Sequence, residues 1–168
     1  VDPAQLNRAL SVVFPVVAEA MEQREAAVLT VRRPFAVISG GPGTGKTTTV
    51  VRVLALLQEL NIVVPDRVAL SAPTGKAAAR LREAVAQAST GSELLDVSPL
   101  GEAVTLHRLL GWRSGGRPPT YGANRAIPYD VVVVDEASMV DLALMTRLLE
   151  ALPAKARLIL LGDRDQLS

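Results

Sequence analysis

One glycine-rich segment combines residue types and a spacing that could bind a chain of phosphates. It covers residues 40–47, reads GGPGTGKT, and fits the pattern G-x-x-x-x-G-K-S/T with no departure. Its glycines let successive backbone N–H groups turn inward around an anion, and a helix starting near Lys46 would point its positive dipole end at the same anion. Lys46 could then reach the outer phosphates of a nucleotide, while the Thr47 hydroxyl binds Mg²⁺. The segment therefore predicts a site for ATP with Mg²⁺. Its expected lining residues are Gly41, Pro42, Gly43, Thr44, Gly45, Lys46, Thr47 and Thr48.

The alternative interpretation of this segment is a glycine-rich turn with a surface lysine. A flanking apolar strand and a following helix disfavour it, because they supply the context in which this pattern binds phosphate. A similar string, Thr74-Gly75-Lys76-Ala77, does not predict a second phosphate site. Leu70 stands where the first glycine is needed, and Ala77 has no hydroxyl for the metal.

Two adjacent acids, Asp135 and Glu136, follow the apolar run Val131–Val134. In parallel α/β sheets the carboxyl ends of the strands form the ligand crevice, which would bring Asp135 to the metal opposite Thr47. Glu136 could then polarise the water that attacks the terminal phosphate. The alternative is a solvated acidic loop, which the phosphate-binding segment makes less favourable.

A glutamine near the end of the chain could sense the terminal phosphate. Gln166 closes the segment GDRDQ, which follows the apolar run Leu158–Leu161. If that run forms a strand beside Val131–Val134, Gln166 lies at the same edge of the sheet. A surface amide is the alternative.

The elements that must position these residues alternate between strands and helices. Residues 4–30 are expected to be helical and to break near Pro15. Four β-branched residues in a row at 131–134 predict a central strand that is covered on both faces. We therefore expect an α/β fold with a mostly parallel sheet and helices on both faces. The predicted strands are 35–39, 67–71, 129–135 and 158–161, and the later helices are 46–60, 75–88 and 142–151.

Composition limits the possible classes of protein. The chain has 168 residues, 49% of them hydrophobic, with a net charge of +1, no cysteine and one histidine. These values indicate one globular domain without disulfides or a thiolate metal site, and any nucleic-acid binding must come from local patches. No apolar run approaches the roughly 18 residues that span a membrane, so no membrane partner is expected. The missing initiator Met predicts a piece of a longer chain.

A basic segment with aromatics runs from 105 to 128 and carries no acid. Basic and aromatic side chains together suit single-stranded DNA, through phosphate attraction and base stacking. A solvated arginine-bearing loop or a subunit contact is the alternative. The residues concerned are Arg108, Trp112, Arg113, Arg117, Tyr121 and Arg125.

Five segments together resemble superfamily 1 DNA helicases, and among them the RecD family, the alpha subunits of exodeoxyribonuclease V. The segments are GGPGTGKTTTV (40–50), APTGKAAARL (72–81), TLHRLLG (105–111), VVVVDEASMVD (131–141) and LLGDRDQL (160–167). Their order, spacing and residue identities agree with that family from about residue 23 to the end of the chain. The resemblance implies a RecA-like P-loop fold and makes residues 23–168 a first motor domain. It leaves residues 1–22 as a helical lead-in without a role.

The resemblance also implies roles by position. Gln23, located 17 residues before Gly40, would read the adenine edge. Lys46 and Glu136 would act in catalysis, Gln166 would couple the terminal phosphate to domain movement, and Asp135 would hold Mg²⁺ with Thr47. The residues that would contact single-stranded DNA are Thr74, Lys76, Thr105 and His107.

The family works in the cytoplasm beside the beta and gamma subunits of exodeoxyribonuclease V, although a stand-alone RecD-like helicase remains an alternative. Its second motor domain, with the arginine that completes the ATP site, is missing here, so we expect nucleotide binding with poor hydrolysis. Two other classes share the phosphate loop. A small-molecule kinase would need an acceptor pocket, and a nucleotide-gated assembly module would bind ATP and a protein without touching DNA.

Overall fold

The computed structural model describes residues 2–14, 21–41, 44–89, 102–112 and 118–163 of the chain. The helices are α1 (Pro3–Val13), α2 (Met21–Arg32), α3 (Lys46–Glu59), α4 (Gly75–Ser89), α5 (Leu106–Leu109) and α6 (Leu142–Ala151). The strands are β1 (Phe35–Ser39), β2 (Val68–Ala72), β3 (Val104–Thr105), β4 (Val131–Val134) and β5 (Arg157–Gly162). Each predicted strand and helix is present, with ends that differ by a few residues.

The five strands form one sheet in the order β1-β5-β4-β2-β3, and every neighbouring pair is parallel. The strand that carries the two acids, β4, is the middle strand, as its β-branched run predicted. All four of its residues are buried. Because the strands are parallel, their carboxyl ends meet at a single edge of the sheet, and Asp135 and the start of the phosphate-binding segment lie at this edge.

Successive residues of the central strands point to opposite faces, and each face packs against its own helices. Val131 and Val133 lie in a core cluster with residues of α1, α2, α3 and α4. Val132 and Val134 lie in a second cluster with residues of α5 and α6. The predicted α/β architecture with helices on both faces is therefore confirmed.

The N-terminal helix α1 packs into the larger of these two clusters. Asp2 caps it by accepting a hydrogen bond from the N–H of Gln5 at 3.2 Å, and Pro3 stands at its first turn. Its buried residues, together with Phe14 just beyond its end, contact the core that surrounds α3. The expected break near Pro15 lies outside the described residues, but two separate helices, α1 and α2, are present as predicted.

Arg157, at the start of β5, is hydrogen-bonded to the end of α2. Its guanidinium donates to the carbonyl oxygens of Thr30 at 2.7 Å and Arg33 at 2.9 Å, which are carbonyls at the open end of α2. Burial lowers the pKa of the Arg157 guanidinium below its usual range. The contact fixes the helix on which Gln23 lies.

The structure adds two elements that the sequence pattern did not predict, β3 and α5. Strand β3 has only two residues and pairs with the end of β2, Ser71 with Val104 and Ala72 with Thr105. Thr105 then caps α5 by accepting from the N–H of Arg108 at 3.2 Å. In the described part of the chain, no helix is both long and apolar enough to span a bilayer.

Candidate functional site

The phosphate-binding segment begins where the edge strand β1 ends. The Gly40 N–H donates to the carbonyl oxygen of Gly162 at 3.3 Å, so the start of the loop is tied to the end of β5. Gly45 precedes α3 with a φ of 78°, in the left-handed region where a Cβ would be strained. A Cβ at Gly40 would stand 2.5 Å from the hydroxyl of Thr44. Glycine is therefore required at both ends of the described loop. Pro42 and Gly43 lie outside the described residues.

Lys46 turns back toward the loop instead of pointing away from it. Its ammonium donates to the carbonyl oxygens of Gly40 and Gly41, and the bond to Gly41 measures 2.9 Å. Thr44 also donates to the Gly41 carbonyl, at 2.8 Å. The ammonium of the predicted phosphate ligand therefore lies against the first residues of the loop.

Three threonines occupy the first turn of α3. Thr47 and Thr48, the predicted metal and phosphate ligands, are half-buried. Thr49 is buried, and its hydroxyl donates to the carbonyl oxygen of Gly45 at 3.0 Å. Thr49 thus has a structural role that ties the helix to the loop, and the sequence pattern did not single it out.

The two acids lie at the same edge, two strands away from the loop. The Asp135 N–H donates to the carbonyl oxygen of Ser71 at 2.9 Å. One carboxylate oxygen of Asp135 accepts from the N–H of Glu136 at 2.8 Å. Since β5 separates β4 from β1, the two strands are about 10 Å apart, twice the usual spacing of about 4.8 Å. A metal bound to phosphate can bridge such a gap.

Glu136 has an unusual backbone conformation. Its φ is 50°, one of two positive values among the non-glycine residues that the structure describes. Bulky side chains seldom adopt this conformation, and residues held in it cluster at functional sites. Glu136 in this conformation precedes the short 3₁₀ helix Ala137–Met139.

The chemistry of the available donors fits Mg²⁺ that is carried by a nucleotide. Thr47 offers a hydroxyl and Asp135 a carboxylate, both oxygen donors of the kind that Mg²⁺ prefers. Among the described residues, no cluster of three or more His, Cys, Asp or Glu could hold a metal by itself. The remaining ligands would therefore come from phosphate oxygens and water.

A cavity of about 390 Å³ opens beside the loop, between α2, β1 and the start of α3. Gln23 lines it together with Gly40, Thr44 and Lys46. Its volume falls in the range of small-ligand pockets, roughly 300–1,000 Å³. The Gln23 amide nitrogen lies 3.3 Å from the position that a Cβ on Gly45 would take. The structure thus brings the residue predicted to read the base next to the residues predicted to bind phosphate.

Arg52 belongs to this neighbourhood, although it lies in none of the sequence motifs. Its guanidinium donates to the side-chain oxygen of Gln23 at 2.6 Å. Sequence offers no local signal for this pair, because 29 positions separate the two residues.

The predicted DNA contacts lie at the β3 side of the same edge. Thr74 follows β2 and Thr105 ends β3, and these strands are neighbours. Both threonines serve as helix caps: Thr74 accepts from the N–H of Ala77 at 3.2 Å, and Thr105 caps α5. Lys76 and His107 are exposed.

An aromatic pair stands beside these residues. The rings of His107 and Trp112 are 5.1 Å apart between centroids and tilted by 47°. On the loop that precedes β4, the Arg125 guanidinium lies 5.4 Å from the centre of the Tyr121 ring. Arg113, Arg117 and Gln166 lie outside the described residues.

Known proteins match this chain over most of its length. Residues 23–168 match the family described as an AAA domain. The chain is 53% identical to the RecBCD enzyme subunit RecD of Mycobacterium tuberculosis over 152 residues, which are 88% of this chain and 26% of that protein. It is 42% identical to the RecD of Haemophilus influenzae, over 98% of this chain and 27% of that protein.

A third relative is the ATP-dependent RecD2 DNA helicase of Deinococcus radiodurans, with 42% identity over 78% of this chain and 16% of that protein. The chain therefore spans about a quarter, or less, of the length of these curated relatives. The resemblance to RecD and RecD-like helicases that the five segments predicted is confirmed. The match over residues 23–168 and the parallel sheet together show that the chain belongs to the AAA domain family.

Proposed function

We propose that this domain is the first motor domain of an ATP-dependent DNA helicase of the RecD type. It binds ATP with Mg²⁺ at the loop formed by residues 40–47. Together with a second motor domain it hydrolyses ATP and thereby moves along single-stranded DNA. It does so in the cytoplasm, during DNA repair and recombination. The observation that carries the proposal is the shared edge of the sheet. The phosphate loop, Asp135 and the predicted DNA contacts all follow the carboxyl ends of parallel strands.

The proposed chemistry consists mainly of positioning and charge stabilisation. The N–H groups of the loop and the Lys46 ammonium hold the β- and γ-phosphates. Thr47 and Asp135 would hold Mg²⁺, which neutralises charge on the phosphate oxygens when it is bound. Glu136 accepts a proton from the attacking water, and Gln166 contacts the terminal phosphate. Little hydrolysis is expected until a second domain supplies an arginine to the site.

Single-stranded DNA crosses the β3 side of this edge in our proposal. The exposed Lys76 attracts a phosphate, and the exposed His107 and Trp112 offer aromatic faces to bases. Thr74 and Thr105 support this surface as caps of the helices that follow them. Asp135 is hydrogen-bonded to Ser71 of β2, the strand that Thr74 follows, and this gives a physical route by which nucleotide binding could alter DNA binding.

The test is DNA-dependent ATP hydrolysis by the complete protein that contains this domain. We expect single-stranded DNA to increase the rate, Lys46→Ala to abolish it, and a salt series to weaken DNA binding steeply. A rate that single-stranded DNA leaves unchanged would contradict the helicase assignment. Transfer of phosphate to a nucleoside instead of water would favour a kinase.

Partner subunits form a separate part of the proposal. Two of the relatives above are named as subunits of the RecBCD enzyme, and one is named as a DNA helicase. We propose that the complete protein works beside the beta and gamma subunits of exodeoxyribonuclease V. One of the two named subunits is 53% identical to this chain and the other matches 98% of it, whereas the helicase is 42% identical over 78% of it. Purification of the complete protein from its own cells, followed by its mass in solution, tests this. A monomeric mass would favour a stand-alone RecD-like helicase.

A further inference from the structure

A line of contacts leads from the N-terminal helix to the phosphate loop. Phe14, at the end of α1, is fully buried, and the Arg52 guanidinium of α3 lies 5.6 Å from the centre of its ring. The same guanidinium donates to the Gln23 side-chain oxygen at 2.6 Å. The Gln23 amide nitrogen in turn lies next to Gly45. Three helices and the loop thus meet through one arginine.

Arg52 determines which way the Gln23 amide faces. The last torsion of a glutamine is roughly two-fold, so a free amide can present either its oxygen or its nitrogen to a neighbour. Arginine has only donors, so it pairs with the amide oxygen and rejects the NH₂ group. The oxygen is therefore held toward Arg52, and the NH₂ group faces Gly45 and the cavity beside the loop.

Phe14 in turn restricts Arg52. A guanidinium over an aromatic face is attracted by the negative charge of the ring, and its planar shape stacks there better than an ammonium does. Within the described residues, this guanidinium contacts the Gln23 amide oxygen and the Phe14 ring, and both contacts favour a single orientation. Phe14 itself is anchored in the core that α1 shares with α3.

We propose that Arg52, supported by Phe14, is a positioning residue that presents the Gln23 amide to the base of the nucleotide. The proposal rests on the proposed function of this site and of Gln23 within it. It adds a role for α1, which then forms part of the support of the nucleotide site. A fixed amide strengthens the binding of a nucleotide, which has a base, and leaves the affinity for a bare triphosphate unchanged.

The experiment compares the binding of Mg²⁺–ATP and of Mg²⁺–tripolyphosphate to the complete protein. We expect Arg52→Met to weaken ATP binding about tenfold, which corresponds to the loss of roughly one hydrogen bond to the base. Tripolyphosphate binding should be unchanged. Gln23→Ala should have the same effect, and the double variant should bind ATP no more weakly than Gln23→Ala alone. Arg52→Lys should recover part of the loss, because an ammonium can still donate to the amide oxygen.

Phe14→Leu provides a second test that keeps an apolar residue in the core. We expect ATP binding to weaken about threefold, as the loss of a weak cation–π contact predicts, with tripolyphosphate binding again unchanged. Arg8 is an exposed arginine on α1, and Arg8→Met is therefore the matched control. This variant should bind both ligands as the wild type does.

The possible results separate this inference from the proposed function. If Arg52→Met weakens the binding of ATP and of tripolyphosphate equally, Arg52 is a structural support of the loop and the inference is overturned. The inference also fails if the affinity losses of Arg52→Met and Gln23→Ala add up in the double variant, or if Arg52→Met binds ATP as tightly as the wild type. If the wild type fails to bind ATP, the proposed function itself fails, and the inference fails with it.

Discussion

The backbone N–H of Asp135 donates to the carbonyl oxygen of Ser71 at 2.9 Å, one residue beyond the last paired position of β4. This bond carries the β2–β4 ladder past Val134 and holds the acid at the rim of the sheet. Ser71 is itself buried and donates from its hydroxyl to the carbonyl oxygen of Val104 at 3.0 Å. One serine therefore connects the strand that bears the acids with the strand that bears Thr105. The position of Asp135, the proposed metal ligand, therefore depends on the sheet and not on a loop.

Glu136 should be needed for turnover but not for binding. Glu136→Gln removes the group that accepts a proton, so we expect hydrolysis by the complete protein to fall about 100-fold or more, with ATP affinity unchanged. Single-turnover hydrolysis and equilibrium binding of ATP measure the two effects. Hydrolysis that continues in this variant would show that another group takes the proton.

The same position should also show a cost in stability. Because the φ of Glu136 is 50°, Glu136→Gly should relieve backbone strain and raise the free energy of unfolding by about 1 kcal/mol while it abolishes turnover. Urea unfolding measures this free energy, with Glu136→Gln as the control that keeps the strain. A glycine variant no more stable than the glutamine variant would mean that the turn is not strained.

Lys46 should be the main side-chain ligand of the phosphates. We expect Lys46→Ala to weaken ATP binding about 10- to 100-fold, since a charge-assisted hydrogen bond contributes about 1.5–3 kcal/mol. Calorimetric titration with Mg²⁺–ATP measures the loss. Lys155→Ala is the matched control, because Lys155 is an exposed lysine before β5, at the opposite edge of the sheet. Unchanged affinity in Lys46→Ala would refute the phosphate site.

Lys76 should contribute one phosphate contact on DNA. We expect Lys76→Ala to weaken single-strand binding for all sequences alike and to reduce the slope of log K against log salt by about 0.7. Fluorescence anisotropy with a labelled oligonucleotide at several salt concentrations gives the slope. Lys155→Ala again serves as the control, and an unaltered slope in Lys76→Ala would remove this residue from the DNA surface.

The ion pair between Arg67 and Asp130 should make stability sensitive to acid. The guanidinium of Arg67 donates to both carboxylate oxygens of Asp130, at 2.8 and 3.1 Å, and this lowers the pKa of Asp130 below its usual 3.8. A carboxyl group with a lowered pKa in the folded state stabilises that state above pH 3.8 and loses this effect as the pH falls through the lower folded value.

We therefore expect the wild type to lose stability more steeply than Asp130→Asn between about pH 5 and 2. Both side chains of the pair are nearly half exposed, so added salt should reduce the difference. Thermal unfolding across this pH range measures it, with Asp66→Asn as the control at a neighbouring exposed acid. Identical acid profiles for the wild type and Asp130→Asn would contradict the assigned pair.

The parts of the fold that the sequence predicted are those with a local signal. The four valines of 131–134 predict a buried strand because they make both of its faces apolar. The loop at 40–47 is predicted by the spacing of its glycines, lysine and threonine. Strand β3 has no such signal, because its two residues are held by tertiary contacts with Ser71 and Ala72. The pairing of Gln23 with Arg52 could not be predicted either, since only the packing of α2 on α3 brings the two residues together.

The site was predicted less completely than the fold. Thr74 and Thr105 were expected to touch DNA, and the structure shows in addition that each hydroxyl accepts a backbone N–H at the start of a helix. Sequence alone could not separate these roles, because threonine is favoured both at helix caps and in polar binding surfaces.

The most direct measurement is a crystal structure of the domain with Mg²⁺ and a non-hydrolysable analogue of ATP. We expect the metal to be bonded to the Thr47 hydroxyl and to lie within one water molecule of Asp135. We also expect the Lys46 ammonium to have moved from the Gly41 carbonyl to the phosphates. A metal far from Asp135, or a lysine that keeps its carbonyl partners while the phosphates bind elsewhere, would contradict the proposed nucleotide site.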